Sequence, residues 1–289
     1  MKRAPGPSGH WLLGSLREFR RDMLAFYARI ARDYGDIVGF RLGPRRFVLL
    51  NHPDFIEQVL VTENRNFIKH YGLRLLRPTL GNGLLNSDGD FWLRQRRLMQ
   101  PAFQRQRIDS YAPIIVEHTE KMLAHWRDGE IRDLHADMMK LALSIVTKTL
   151  LDVDAGDKSN EVSQAIDFIM EDFNARFQSA FPPPAWLPAP RNLKLKREVG
   201  RLDAIIHEMI RQRRADSRDR GDLLSMLVHA RDEADNTGMT DKQLRDEVMT
   251  LFLAGHETTA SALSWTWYLL ATHPHVEARL LDELDSVLG

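Results

Sequence analysis

Cysteine is absent from this chain of 289 residues. That excludes disulfides, a thiolate nucleophile and a thiolate metal ligand among these residues. A run of 18 apolar residues is also missing, so no transmembrane helix is predicted. The start, MKRAPGPSGHWLLGSLREF, carries basic residues, but Pro and Gly follow at once and the apolar WLL is too short for a signal-peptide core. A soluble cytoplasmic protein is the expectation. Net charge is lacking too: 40 basic and 40 acidic residues cancel. No global field pulls the chain toward nucleic acid or an anionic membrane, and neither is expected as a partner. No internal repeat and no low-complexity tract is found.

What is present is an ordinary globular composition, with 43% apolar and 28% charged residues, long enough for one large domain or two modest ones. Leu16, Phe19, Met23, Tyr27, Ile30 and Tyr34 share one helical face, and Gly35 can end that helix. DIVGFRLGPRRFVLL reads as two short strands around a Gly-Pro turn, and HPDFIEQVL as a helix with Pro53 at its first position. Residues 68–86 carry Gly and Pro without a sustained period and are expected to be a mobile connection. SDGDFWLRQRRLMQPAF opens a helix with Ser or Asp available as cap. From there the chain reads as nearly all helix, with apolar faces marked by Leu134, Met138, Leu141 and Ile145, then by Val162, Ile166, Ile169, Phe173 and Phe177, then by Val199, Leu202, Ile206 and Met209. FPPPAWLPAP, at 181–190, is a rigid apolar loop. DEADNTG is a turn signal. A long helix is predicted from about Thr240 to His273, and one more begins at Pro274.

The long helix holds a polar island, LFLAGHETTASALSW. At 100° per residue, Glu247, Leu251, Ala254, Gly255, Thr258, Ala262 and Trp265 fall in one sector. That face is shallow in its middle turns, so something flat can approach the backbone. His256 lies on the opposite side, and Glu257 on the shoulder beside Thr258. A helix–helix contact through small residues, with Thr258 bonded back to the carbonyl four residues earlier, would also account for the spacing. Yet a Gly costs about 1 kcal/mol against Ala inside a helix, and an unpaired buried Glu costs several. Such local violations are expected at functional sites. A zinc-protease helix needs His-Glu-x-x-His, and the fifth position here is Ala260, so that reading fails.

AGHETT on a long helix resembles the oxygen-activating motif of the cytochrome P450 haem monooxygenases, Ala/Gly-Gly-x-Asp/Glu-Thr-Thr. Upstream, Trp92 and Arg96 in FWLRQRR resemble the family's Trp-x-x-x-Arg helix. Four residues apart, an indole N–H and a guanidinium share a face, and both donate to a carboxylate such as a haem propionate. The order of elements resembles the family over essentially the whole chain. The resemblance implies a mainly α, P450-like helical fold with a small amino-terminal β-hairpin, incomplete at the carboxyl end. It implies a single domain over 1–289: a helix and hairpin region at 1–67, the connection at 68–86, a helical region at 87–239, the oxygen-activating helix at 240–273 and the start of a following helix at 274–289.

The same resemblance implies a haem b cofactor. Thr258 would hold a water or hydroperoxide and Glu257 would relay protons, a hydroxyl and a carboxylate in an otherwise apolar wall being suited to that task. Ala254 and Gly255 would make room for dioxygen and the porphyrin. Residues 68–86 and 173–190 would line the substrate pocket, with Leu75, Leu76, Leu84, Phe177 and Phe181 favouring an apolar small molecule. Partners would be that substrate, dioxygen and a reductase of ferredoxin or flavodoxin type. Arg94, Arg96, Arg97, Arg105 and Arg107 form a basic cluster that would dock the acidic electron donor, or be a solvated face.

The departure lies in what family members carry next: a Glu-x-x-Arg helix and a loop whose Cys thiolate is the axial iron ligand. Glu18–Arg21, Glu198–Arg201 and Glu208–Arg211 match the first pattern only by chance, since all precede the long helix. The expectation is an amino-terminal portion of a monooxygenase, inactive by itself because the axial Cys is absent, with no metal ligand of its own. The alternative is a non-catalytic helical module that binds haem through a His, or a hydrophobic ligand. For that role His256 is poorly placed and His70 lies in the connection.

Overall fold

In the computed structural model, which describes residues 4–152, 159–178, 183–184, 186–216, 218, 220–233 and 235–289, the chain divides into two units. One is Met1–Gly72 with Asn174–Pro184, and the other is Leu73–Phe173 with Ala185–Gly289.

In the first unit the helix predicted over 16–34 is two helices, α1 (Leu16–Arg21) and α2 (Met23–Tyr34). The break is at Asp22, whose backbone turns extended and whose carboxylate accepts from the Ala25 N–H at 2.9 Å. A helical spacing of apolar residues does not register such a cap, because the cap satisfies an orphan amide without changing the apolar face. Phe26 and Ile30 of α2 are buried with Val38 and Phe40 of the hairpin, and Phe19 and Tyr27 pack edge-on around them. The hairpin pairs β1 (Ile37–Leu42) with β2 (Arg45–Leu50), Ile37 opposite Leu50 and Leu42 opposite Arg45. Its two-residue turn is Gly43-Pro44. Gly43 has φ +60°, the left-handed conformation that the first central position of such a turn demands. α3 (Pro53–Glu57) starts on Pro53 with His52 as cap.

The second unit is helical: α4 (Arg77–Leu80), α5 (Gly89–Met99), α6 (Arg105–Ser110), α7 (Ala112–Leu123), α8 (Leu134–Leu151), α9 (Ser159–Gln178, to Phe173 in this unit), α10 (Pro190–Ala215), α11 (Leu223–His229), α12 (Asp241–Thr272) and α13 (Pro274–Leu288). Three of them begin on side-chain caps: Asp133 for α8, Asp222 for α11, and for α12 a capping box in which Thr240 and Gln243 satisfy each other's backbone amides.

α12, about 48 Å long at 1.5 Å per residue over its 32 residues, is the axis of the unit. Its first third is buried all round, Leu244 to Thr250 without interruption, as a helix surrounded by others must be. α8, α10, α11 and α4 pack on it, and the largest core cluster takes Leu143 and Val146 from α8, Leu202 and Ile206 from α10, Leu224 and Leu227 from α11, and Leu244, Val248 and Phe252 from α12. α8 runs antiparallel along α12. His256 Nε2 meets the Met139 carbonyl at 3.1 Å, and His135 Nδ1 meets Ser264 Oγ at 3.1 Å, one helix numbering down as the other numbers up.

The connection expected to be mobile is held from residue 73 onward. Tyr71–Leu76 is a 3-10 helix that runs into α4, and Leu76, Thr79 and Leu80 are buried. The residues after it are fastened to α12: the Asn82 N–H donates to Asp246 Oδ2 at 2.9 Å and the Leu84 N–H to Glu247 Oε2 at 2.8 Å. The lack of a sustained period concealed two short helical segments, and the side chains that fasten the residues after them lie more than 160 residues away.

Candidate active site

From Ala254 to Ser264 α12 is covered on one side only, and from Trp265 onward none of its residues is buried. His256 and Ala260 are sealed against α8, while Ala254, Thr258, Thr259, Ala262 and Trp265 are exposed. The open stripe keeps Ala254, Thr258, Ala262 and Trp265 of the sector read from the sequence, whereas Glu247 is fully buried and Leu251 and Gly255 are half-buried; His256 is on the far side. Thr258 Oγ1 donates to the Ala254 carbonyl at 2.5 Å. Thr250, Ser264 and Thr266 make the same four-residue return bond, so the bond alone does not mark a site. Thr266 is exposed as well; what sets Thr258 apart is its place between two exposed alanines, Ala254 and Ala262, one turn to either side. With its hydrogen given to Ala254, Oγ1 can only accept further.

Glu257 is half-buried on the shoulder of this face. Burial, and after it the carboxylate of Asp167, push its carboxyl above the usual range, while His135 pulls the other way. Such a group holds and releases a proton nearer neutrality than a free glutamate does. His256 is pushed down by burial, so it is a neutral imidazole whose Nε2 faces a carbonyl and therefore carries the hydrogen. That nitrogen has no lone pair left for a metal.

Gly255 departs from the expectation. A Cβ built there would lie 2.9 Å from Val146 Cγ2 of α8. Its missing side chain lets α8 approach, and the room on the open stripe comes from Ala254, Thr258 and Ala262. Leu76 departs as well: it is 8% exposed and belongs to the core cluster of the second unit, not to an open wall. Leu75 and Leu84 are half-buried, Leu84 against that core. Phe177 lies in α9 with its side chain outside the described residues, and Phe181 is outside them altogether.

Trp92 and Arg96 share a face of α5, as their spacing predicts. The guanidinium sits over the indole, 5.3 Å from the ring centroid, and Arg96 is exposed. The basic cluster around them is largely neutralised. Arg94 and Arg97 both reach the buried Asp232, and Arg94 donates to Thr237 Oγ1 at 2.6 Å. Arg105 lies 3.7 Å from Asp109. Five arginines in fourteen residues suggest a field that the acids of the α11–α12 loop and of α6 largely cancel. His70, the other candidate haem ligand, accepts the Gly72 N–H on Nδ1 at 3.0 Å in the first unit.

The residues missed were Asp246 and Glu247. Both are buried, at 4% and 0% exposure, and both accept from the loop at 82–84. Two consecutive acids inside an apolar helical stretch, with Gly-x-Gly at Gly81 and Gly83, were the available signal. Among the described residues no cluster of three or more His, Cys, Asp or Glu could hold a metal ion, and no helix is long and apolar enough to cross a membrane.

Comparison with known proteins gives one consistent answer. The chain is 36% identical over 288 residues to cyclooctatin synthase of Streptomyces melanosporofaciens, covering 98% of this chain and 62% of that protein. It is 34% identical to cyclooctat-9-en-7-ol 5-monooxygenase of the same organism and 34% identical to pentalenene oxygenase of Streptomyces avermitilis, covering 60% and 61% of those proteins. It thus spans about three fifths of the length of these relatives. The crystal structure of the cytochrome P450DA haem domain superposes with a TM-score of 0.85 at 26% identity, over 99% of this chain and 64% of that one. With the family model matched from residue 4 to residue 289, the chain belongs to the cytochrome P450 family.

Proposed function

We propose that these residues form the oxygen-side wall and part of the cofactor clamp of a haem-dependent monooxygenase that hydroxylates an apolar small molecule, with electrons from a ferredoxin- or flavodoxin-type partner. The observation that carries this is the open small-residue stripe of α12, opposite the flank sealed by His256 and Ala260, with Thr258 at its centre. The residues fit haem on that side: Ala254, Thr258 and Ala262 offer a flat face, and exposed Arg96 beside Trp92 offers donors to a propionate. Gly255 contributes by letting α8 back the stripe closely. The chain has no cysteine, so a thiolate to the iron comes from outside these 289 residues, and the portion alone is inactive in hydroxylation. Bound haem supplies the activation of dioxygen.

The chain's own residues supply the rest. Thr258 Oγ1, its hydrogen held by Ala254, accepts from an O–H donor on the stripe and so orients it. Glu257, half-buried and raised, takes a proton from solvent and holds it beside that hydroxyl. The sealed flank with His256 and Ala260 keeps water off the far side. Leu75 and Leu84 support an apolar substrate, with Phe177 and Phe181 in the same role from sequence. Two of the relatives carry an alkene or alkenol in their own names, and a substrate of that apolar class suits this chain.

Haemin titration followed by absorbance tests the reading. Haemin is expected to bind, and Ala254→Trp, which fills the stripe, and Arg96→Ala are each expected to weaken binding at least tenfold, about 1.4 kcal/mol. If Ala254→Trp binds as the parent does while His70→Ala abolishes binding, the stripe is not the haem face and the helical module with a His ligand takes its place.

A further inference from the structure

Two consecutive carboxylates of α12 grip the loop before α5, and nothing in the proposed chemistry uses them. Asp246 Oδ2 accepts the Asn82 N–H at 2.9 Å and also holds Lys242 Nζ at 3.0 Å, while Oδ1 takes Arg245 Nη1 at 3.0 Å. Glu247 Oε2 accepts the Leu84 N–H at 2.8 Å. The loop is shaped for this approach. A Cβ on Gly81 would fall 2.1 Å from Asp246 Oδ1, and one on Gly83 would fall 2.3 Å from Thr250 Oγ1 and 2.6 Å from the Asp246 carbonyl. Gly81 also has φ +56°, so a side chain there would be strained as well as crowded.

A turn follows at once. The N–H groups of Asn86 and Ser87 both donate to the Gly83 carbonyl, at 2.9 and 3.0 Å, and α5 begins at Gly89. Three residues of helix, Gly89 to Phe91, then lead to Trp92. Arg245 carries the network on to α10 through Asp203, with Nε to Oδ1 at 2.6 Å.

We propose that Asp246 and Glu247 are positioning residues: by holding the backbone of 82–84 they fix Leu84 and set the start of the Trp92/Arg96 helix against α12. This rests on the monooxygenase reading for its purpose, though not for its geometry. Buried carboxylates that take backbone N–H donors are strong, directional anchors, and a helix whose approach is fastened five residues upstream of its first turn is held in register with α12. Substrate wall and cofactor clamp are then referenced to the helix that bears Thr258.

Amide hydrogen exchange on the 289-residue chain, without haem, reads the grip. In Glu247→Leu the Leu84 amide is expected to exchange about 10- to 100-fold faster, the range for losing a hydrogen bond to a charged acceptor. Glu247→Gln keeps a carbonyl acceptor and is expected to restore most of the protection. Lys242→Ala, which removes a second donor from Asp246 Oδ2, is expected to leave the Leu84 amide, held by Glu247, at the parent rate.

Positioning is read at a distance, by the ¹⁹F resonance of Trp92 in 5-fluorotryptophan-labelled protein, assigned with Trp92→Phe. It is expected to shift in Glu247→Leu and return in Glu247→Gln. If Glu247→Leu does not fold, Leu84→Pro removes the donor from the loop side and is expected to give the same Trp92 shift. Unchanged Leu84 exchange in folded Glu247→Leu, or equal behaviour of the Leu and Gln variants, overturns the grip. A grip that is lost with no movement at Trp92, in either variant, overturns the positioning role. Parent protein that fails to take up haemin defeats the monooxygenase reading and leaves the exchange results standing.

Discussion

Glycine to alanine inside a helix ordinarily stabilises, by about 1 kcal/mol, because the unfolded chain loses freedom and the folded chain loses nothing. Gly255→Ala is expected to do the reverse. Its new Cβ would sit 2.9 Å from Val146 Cγ2, closer than carbon atoms rest together. Valine cannot swing away cheaply, since in a helix one χ1 rotamer dominates, and overpacking a formed core costs about 1–3 kcal/mol. The net change is a loss of up to about 2 kcal/mol. Gly200, in α10, has nothing within 4 Å of its built Cβ, so Gly200→Ala is the control and is expected to gain the full ~1 kcal/mol. Urea denaturation followed by helical circular dichroism separates the two by about 1–3 kcal/mol at equal slope. Val146→Ala then removes the opposing methyls, and in that background Gly255→Ala is expected to turn stabilising. Should Gly255→Ala match Gly200→Ala in the parent background, the glycine does not face α8, and its role on the open stripe must be restored.

Glu257 is expected to make the fold less stable as pH rises. Its folded carboxyl is raised by burial, so between the ordinary carboxylate range and that raised value the native state binds more protons than the unfolded one. Stability is then full below the ordinary range and is lost as pH rises through the raised value. Glu257→Gln removes this slope, and denaturation midpoints from pH 4 to 8 check it; a parent curve that rises where this one falls refutes the burial argument. Arg213, with 5% of its side chain exposed, pairs with Asp222 at 3.0 Å and donates to the Leu151 carbonyl at 2.7 Å. Arg213→Met strands a buried carboxylate that still caps α11, and is expected to cost about 3–5 kcal/mol by the same denaturation assay.

The long helix was legible because its evidence is local. Thr240 and His273 bracket it, and the stripe from Ala254 to Trp265 follows from helical geometry alone. The hairpin was legible for the same reason, a Gly-Pro pair between two apolar runs. What escaped was set by partners distant in sequence or by caps that leave the apolar face intact. Asp22 splits a helix that hydrophobic spacing leaves whole. The 81–84 loop looks free until Asp246 and Glu247 reach it. The basic cluster reads as one field until Asp232 and Thr237 take two of its members. Gly255 shows the subtler case: its place on the wheel was right, but a glycine lacks the atom that says which neighbour it serves, and only the position of Val146 supplies that.

The shape of the stripe itself argues for a flat occupant. Ala254, Thr258 and Ala262 span about 12 Å along the axis at 1.5 Å per residue, and all three are exposed. Larger residues bound them, Leu251 at one end and at the other Trp265, 64% exposed and set edge-to-face with Tyr268 at 5.6 Å. A second helix could also approach so small-residue a face, but it would have to clear Leu251 and Trp265. A level floor closed by bulk at both ends meets a planar body better. The one polar atom on that floor, Thr258 Oγ1, already has its hydrogen bonded to the helix beneath and so offers the occupant only lone pairs. That combination asks for something broad, flat and apolar, carrying a hydrogen-bond donor at its centre.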